Sequence, residues 1–134
     1  MGTYDNFYKS IACSTKKDLP LYLSYCKVKN MKRPEVVQSL KAVLRKVAPD
    51  ATAILYGSEA RGEARKDSDI DILILLDKDK ITLHDRQAIT YPLYDVELET
   101  GVIISPKVFS KQKWNNQLAI TPFYHNVMKE GIVL

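Results

Sequence analysis

Cysteine is nearly absent: the 134 residues contain two, Cys13 and Cys26. Two are too few for a disulfide framework, and their spacing fits no zinc pattern. Long apolar runs are also missing. The longest aliphatic stretch, Ile72 to Leu76, falls far short of the roughly 20 residues of a membrane-spanning helix. Charge of one sign is lacking too, since 20 basic residues face 16 acidic ones for a net +4. That balance is only mildly basic and does not by itself argue for nucleic acid. The apolar patch from Leu19 to Cys26 runs into Lys27 rather than a small-residue cleavage site, so it does not read as a signal peptide. Asn6 breaks the myristoylation pattern that Gly2 would begin. The expectation is a cytoplasmic protein with no membrane partner.

What remains is 46% hydrophobic and 27% charged, the balance of a soluble globular chain. The length suits one compact domain. A chain of this size buries roughly two thirds of its unfolded surface, enough for a core without staples. The text changes at about residue 30. The first 30 residues hold both cysteines, four of the eight tyrosines, and five lysines against Asp5 and Asp18. No helical period runs through them, and residues 21–28 suggest at most a strand.

From Met31 the pattern sharpens. Arg33, Pro34 and Glu35 read as a helix start, with proline pre-set in the first turn and an acid at the positive end of the dipole. Val36, Val37, Leu40, Val43, Leu44 and Val47 recur at helical spacing, and Pro49 stops the helix. Residues 51–56 and 70–76 read as strands, the second apolar on both faces beyond Asp71, as a covered central strand should be. Residues 82–100 read as a helix with Leu83, Ile89, Leu93, Val96 and Leu98 turned inward, and Pro92 inside it. Residues 102–109 form a third strand whose Pro106 points to an edge or a bulge. Residues 114–118 and 122–129 read as helices, with Trp114, Phe123 and Tyr124 packing onto the sheet. His84 and His125 have no Cys or His at ligand spacing and read as ordinary residues.

The chemistry lies in Leu55-Tyr56-Gly57-Ser58-Glu59-Ala60-Arg61-Gly62 and in Ser68-Asp69-Ile70-Asp71. Residues i and i+2 of a strand share a face, with Cα atoms about 6.5–7 Å apart. Asp69 and Asp71 therefore project side by side at the mouth of an apolar strand. Two such carboxylates repel by about 4 kcal/mol at 4 Å and an effective dielectric of 20. A divalent cation offsets that cost, and Mg²⁺ takes one or two carboxylates plus phosphate oxygens. Gly57 lets the backbone approach a ligand, and Ser58 offers a hydroxyl and an N–H to an anion. Arg61 and Arg65 are within reach to take phosphate oxygens. A lone Asp-x-Asp is more often a solvated strand end, a lone Gly-Ser is a turn, and the two arginines also suit Glu59 and Glu63 as surface partners. The combination, with ten residues between Ser58 and Asp69, is far more specific.

Gly57-Ser58-x-Ala60-Arg61-Gly62 followed by Asp69-x-Asp71 resembles the minimal nucleotidyltransferase group of the DNA polymerase β-like superfamily, over residues 31–134. The resemblance implies an α/β (α+β) fold, a small mixed sheet flanked by helices. It implies catalytic, metal-holding roles for Asp69 and Asp71, and nucleotide binding by Gly57, Ser58, Arg61 and Arg65. Mg²⁺ and ATP or another nucleoside triphosphate are the implied cofactor and substrate. The implied reaction moves a nucleotidyl group, usually AMP, onto an acceptor hydroxyl. Members often pair with a small helical HEPN-type protein as the antitoxin of a toxin–antitoxin pair, and a short domain suits an oligomer that completes the acceptor site.

The superfamily usually carries a third carboxylate on a later, neighbouring strand. Here that position falls on or near Ser105, which cannot act as base or metal ligand in the same way. If residues 94–98 were the strand instead, Asp95 or Glu97 would fill the role. Two functions follow: an enzyme, or a non-catalytic module that neutralises its partner by contact. Nucleic-acid binding is the weaker reading, because the lysines are scattered rather than interleaved with aromatics. Met31 stands just before the first clear helix, so residues 1–30 are expected to be an upstream, dispensable extension and residues 31–134 the nucleotidyltransferase domain.

Overall fold

In a computed structural model, residues 31–134 are described. Both cysteines, the suggested strand over residues 21–28 and the expected extension lie outside them.

Helix α1 (Pro34–Val47) starts with proline in its first turn and carries Glu35 there, with Arg45 and Lys46 at its far end. Each choice suits the helix dipole. Its buried stripe is Val36, Val37, Leu40 and Leu44. Strand β1 (Thr52–Tyr56) runs directly into the short helix α2 (Gly57–Arg61). Strand β2 (Ile70–Leu76) follows, then the long helix α3 (Leu83–Thr100) and strand β3 (Ile104–Ser110). Helices α4 (Lys111–Asn116) and α5 (Pro122–Glu130) and the two-residue strand β4 (Ile132–Val133) complete the fold.

The strands form one mixed sheet in the order β3-β2-β1-β4. β1 is antiparallel to β2 and to β4, whereas β2 and β3 are parallel, as the intervening helix α3 requires. The alternation of strand side chains makes two cores. Leu55, Ile70, Ile72, Ile74, Ile104 and Val108 meet α1 and α3 on one face. Ile54, Tyr56, Leu73 and Leu75 meet Trp114 and Val127 on the other. Phe123 and Tyr124 pack edge-on or tilted against Trp114, so these aromatics do seat the C-terminal helices on the sheet. β2 is central and buried on both faces, and β3 with Pro106 is an edge strand.

One expectation changes. Leu83 and Leu98 are not inward but 70% and 82% exposed, while Ile89, Leu93 and Val96 alone carry the contact of α3 with the core. Leu83 follows the cap directly: Thr82 and Asp85 form a reciprocal capping box, which sets the rotation of the first turn. Pro92 sits within α3 and does not end it. Residues 94–98 are also helical, so Asp95 and Glu97 stand on α3 rather than on a strand beside β2. Glu97 is committed elsewhere, its Oε2 accepting from Ile104 N–H at 2.8 Å. Neither supplies the third carboxylate.

Candidate functional site

Parallel pairing of β2 and β3 and antiparallel pairing of β1 and β2 bring the end of β1 and the starts of β2 and β3 to one end of the sheet. Tyr56 lies opposite Asp71 on one side, and Ser105 lies beside Asp71 on the other. Asp71 shares the sheet face of Leu73 and Leu75 by strand alternation. Asp69, two residues earlier, comes to the same mouth: its Oδ2 accepts from the Ser105 hydroxyl at 3.2 Å. The position expected for a third carboxylate thus holds a hydroxyl that donates to the first aspartate.

Gly57 closes the other side. Its φ is +76°, and a Cβ there would collide with the Asp71 carboxylate. Glycine is therefore required twice, for the left-handed backbone and for the close approach. Burial raises the proton affinity of Asp71, the Asp69 charge raises it further, and Lys107 pulls it back. Tyr56 is pushed well up by burial and by the charges of Asp71 and Glu130, and its buried hydroxyl takes no hydrogen bond among the described residues. These shifts place a concentration of negative charge at this mouth. The crowding of Asp69 and Asp71 is what a divalent cation relieves, and a hard oxygen set of two carboxylates fits Mg²⁺ completed by phosphate oxygens. Among the described residues no group of three or more His, Cys, Asp or Glu side chains that could hold a metal ion is found, so a cation at this mouth would have only the aspartate pair to hold it.

The two arginines expected at the turn differ. Arg61 is paired already: Nε donates to Glu63 at 3.0 Å and Nη1 to Glu130 at 2.7 Å. The bonds to Glu63 and Glu130 hold it yet more firmly protonated. Arg65 is exposed, and its backbone N–H donates to the Ser68 hydroxyl at 2.9 Å, which shapes the loop before Asp69. Ser58 is half-buried at the turn itself.

Three participants went unread in the sequence. Glu59, inside the Gly-Ser motif, is fully buried and accepts from Lys32 N–H, Arg33 N–H and Arg33 Nε at 3.0–3.1 Å. It pairs with Arg33 and not with Arg61 or Arg65. Its charge lies against the start of α1, where the dipole favours an anion. Arg33 Nη1 then donates to the Ser68 carbonyl at 2.6 Å, one residue before Asp69. One buried pair thus ties α1, the Gly-Ser helix and the approach to Asp69 together. Glu130, at the end of α5, accepts from Gly57 N–H at 3.1 Å. A carboxylate in a helix's last turn is disfavoured by the dipole, and that is the sequence signal that it has a partner elsewhere. Lys107 follows Ser105 on the same face of β3, where a strand period of two would have placed it.

Residues 36–128 match the family model described as nucleotidyltransferase domain. Two proteins of Methanocaldococcus jannaschii, each bearing the name "putative protein adenylyltransferase", are similar to this chain. One is 33% identical over 79 residues, covering 58% of this chain and 79% of the relative. The other is 38% identical over 81 residues, covering 60% and 74%. A solved structure titled as a "putative nucleotidyltransferase" from Sulfolobus solfataricus aligns with 73% of this chain and 80% of its own, at 19% identity and a TM-score of 0.44. The sequence matches decide the assignment: the chain belongs to the nucleotidyltransferase-domain family.

Proposed function

We propose that this chain transfers AMP from ATP to a hydroxyl group of a protein, with Mg²⁺ held by Asp69 and Asp71. The observation that carries the reading is the aspartate pair set against the Gly57–Ser58 turn, with Asp71 packed so closely that only glycine fits beside it. The adenylyl group and the protein acceptor follow the names of the two archaeal relatives. When bound, Mg²⁺ supplies charge neutralisation on the phosphates. Gly57, Ser58 and, once freed from Glu130, Arg61 bind the phosphates; Arg65 stands nearby as a further cation. The Ser105 hydroxyl orients Asp69 through its hydrogen bond. In the reaction the acceptor oxygen bonds to the α-phosphorus, the bond to the bridging oxygen breaks, and pyrophosphate leaves. The hydroxyl proton passes to solvent at the open β3 side, because no carboxylate stands at Ser105 to receive it.

The test is transfer of label from α-labelled ATP to a protein acceptor in the presence of Mg²⁺. The expected result is labelling that Asp69→Asn reduces about 100-fold or more, as removal of a charge-stabilising group does. Labelling indifferent to that change would contradict the role of Asp69.

Ser105 also favours a second reading, in which acceptor activation is weak and the domain neutralises a HEPN-type partner by contact. That partner class rests on the family resemblance, a cytoplasmic setting on the N-terminal sequence, and an oligomer on the shortness of the domain. Neutralisation retained by an Asp69/Asp71 double variant would select this reading, and its loss together with ATP use would select the enzyme.

A further inference from the structure

Glu130 sits where its own helix gives it no support. Its Oε2 is held from outside, accepting from Gly57 N–H at 3.1 Å and from Arg61 Nη1 at 2.7 Å. These are two of the donors that the nucleotide reading gives to phosphate oxygens. Carboxylate and phosphate oxygens compete for the same N–H and guanidinium donors, and a charged acceptor makes the stronger bond with each. We infer that Glu130 is a resident anion at the phosphate-binding turn, and that it sets nucleotide affinity by competing with the phosphates for Gly57 and Arg61.

Its surroundings suit an exchange confined to one side chain. The backbone after Glu130 is fixed: a Cβ at Gly131 would meet the Val127 carbonyl and the Ile54 side chain, and Ile132 and Val133 pair with Leu55 and Ile54 of β1. The Glu130 side chain is 21% exposed and flexible, so its carboxylate can leave its donors without moving α5. Its charge also reaches Asp71, whose proton affinity it raises, behind the larger effects of burial and Asp69. Glu63 shares Arg61 from the solvent side and is 66% exposed, so the guanidinium keeps one partner when Glu130 withdraws.

The inference rests on the nucleotide reading of the turn, and the experiment separates the two. Mg·ATP binding is measured calorimetrically on the full chain and on Glu130→Gln, with the melting temperature of each recorded. Glu130→Gln keeps the shape and removes the charge, and is expected to bind Mg·ATP roughly three- to tenfold more tightly, tenfold being 1.4 kcal/mol. Glu130→Asp, whose oxygens withdraw by one methylene, is expected to give a smaller gain, and decides the matter if the glutamine variant melts below the assay temperature. Binding by the native chain with no gain, or a loss, in the variants overturns the competitor role and leaves the nucleotide reading standing. No binding by the native chain or the variants at millimolar Mg·ATP overturns both.

Discussion

Glu59 and Arg61 are two residues apart in one short helix, and each makes an ion pair. Glu59 has no exposure and grips Arg33 and two backbone N–H groups; Arg61 is 44% exposed and is shared between Glu63 and Glu130. The inward pair joins elements 26 residues apart in sequence. In a dry setting its loss would strand a charge. The outward pairs are wet, and pairs of that kind contribute little to stability. The same motif thus has a buried side that ties elements together and an exposed side, the one we propose a ligand claims.

The sharpest break in that comparison is Glu59→Ala. It leaves Arg33 buried without its partner and should cost about 3–5 kcal/mol, read as a fall in the midpoint of urea unfolding. A loss under about 1 kcal/mol would mean that the inward pair is no more structural than the outward ones. Asp71→Asn should act more gently and in the opposite direction, raising the melting temperature at neutral pH. The sign follows from the raised proton affinity of Asp71 in the fold. Ionisation there opposes folding, so the native chain loses stability relative to the variant as pH rises through the folded value. Below the ordinary aspartate value of about 3.9 the carboxyl is protonated in both states and the difference closes. Melting curves of both proteins across pH 3–8 check this, and a gap of constant size would refute it. The smallest effect belongs to Arg61→Ala, expected to shift stability by no more than about 1 kcal/mol while weakening nucleotide binding in the same titration.

Much of this was legible in the residues. Proline and charge placement marked α1, the unbroken aliphatic run marked a covered β2, and Pro106 marked the edge. The spacing from Gly57-Ser58 to Asp69 and Asp71 marked residues that the fold brings to one end of the sheet, and the reading of residue 105 found the position beside Asp71. The unread parts share a physical cause, since each depends on a partner far away in sequence. Glu59 reads as one more surface acid until α1 folds back and Arg33 reaches it. Glu130 reads as a helix end until α5 delivers it to Gly57. β4 is two residues long, too short for any period. Leu83 and Leu98 carry apolar side chains on a helix with little apolar asymmetry, and sequence spacing alone could not show that α3 turns them to solvent.

The central claim is that Asp69 and Asp71 do chemistry beside a turn that buried pairing holds in place. Its most direct test is label transfer from α-labelled ATP by Asp69→Asn, with the melting temperature followed in the same preparation. The account predicts a melting temperature at or above that of the native chain and transfer lowered about 100-fold or more. Transfer at the native rate by a folded Asp69→Asn protein would contradict it.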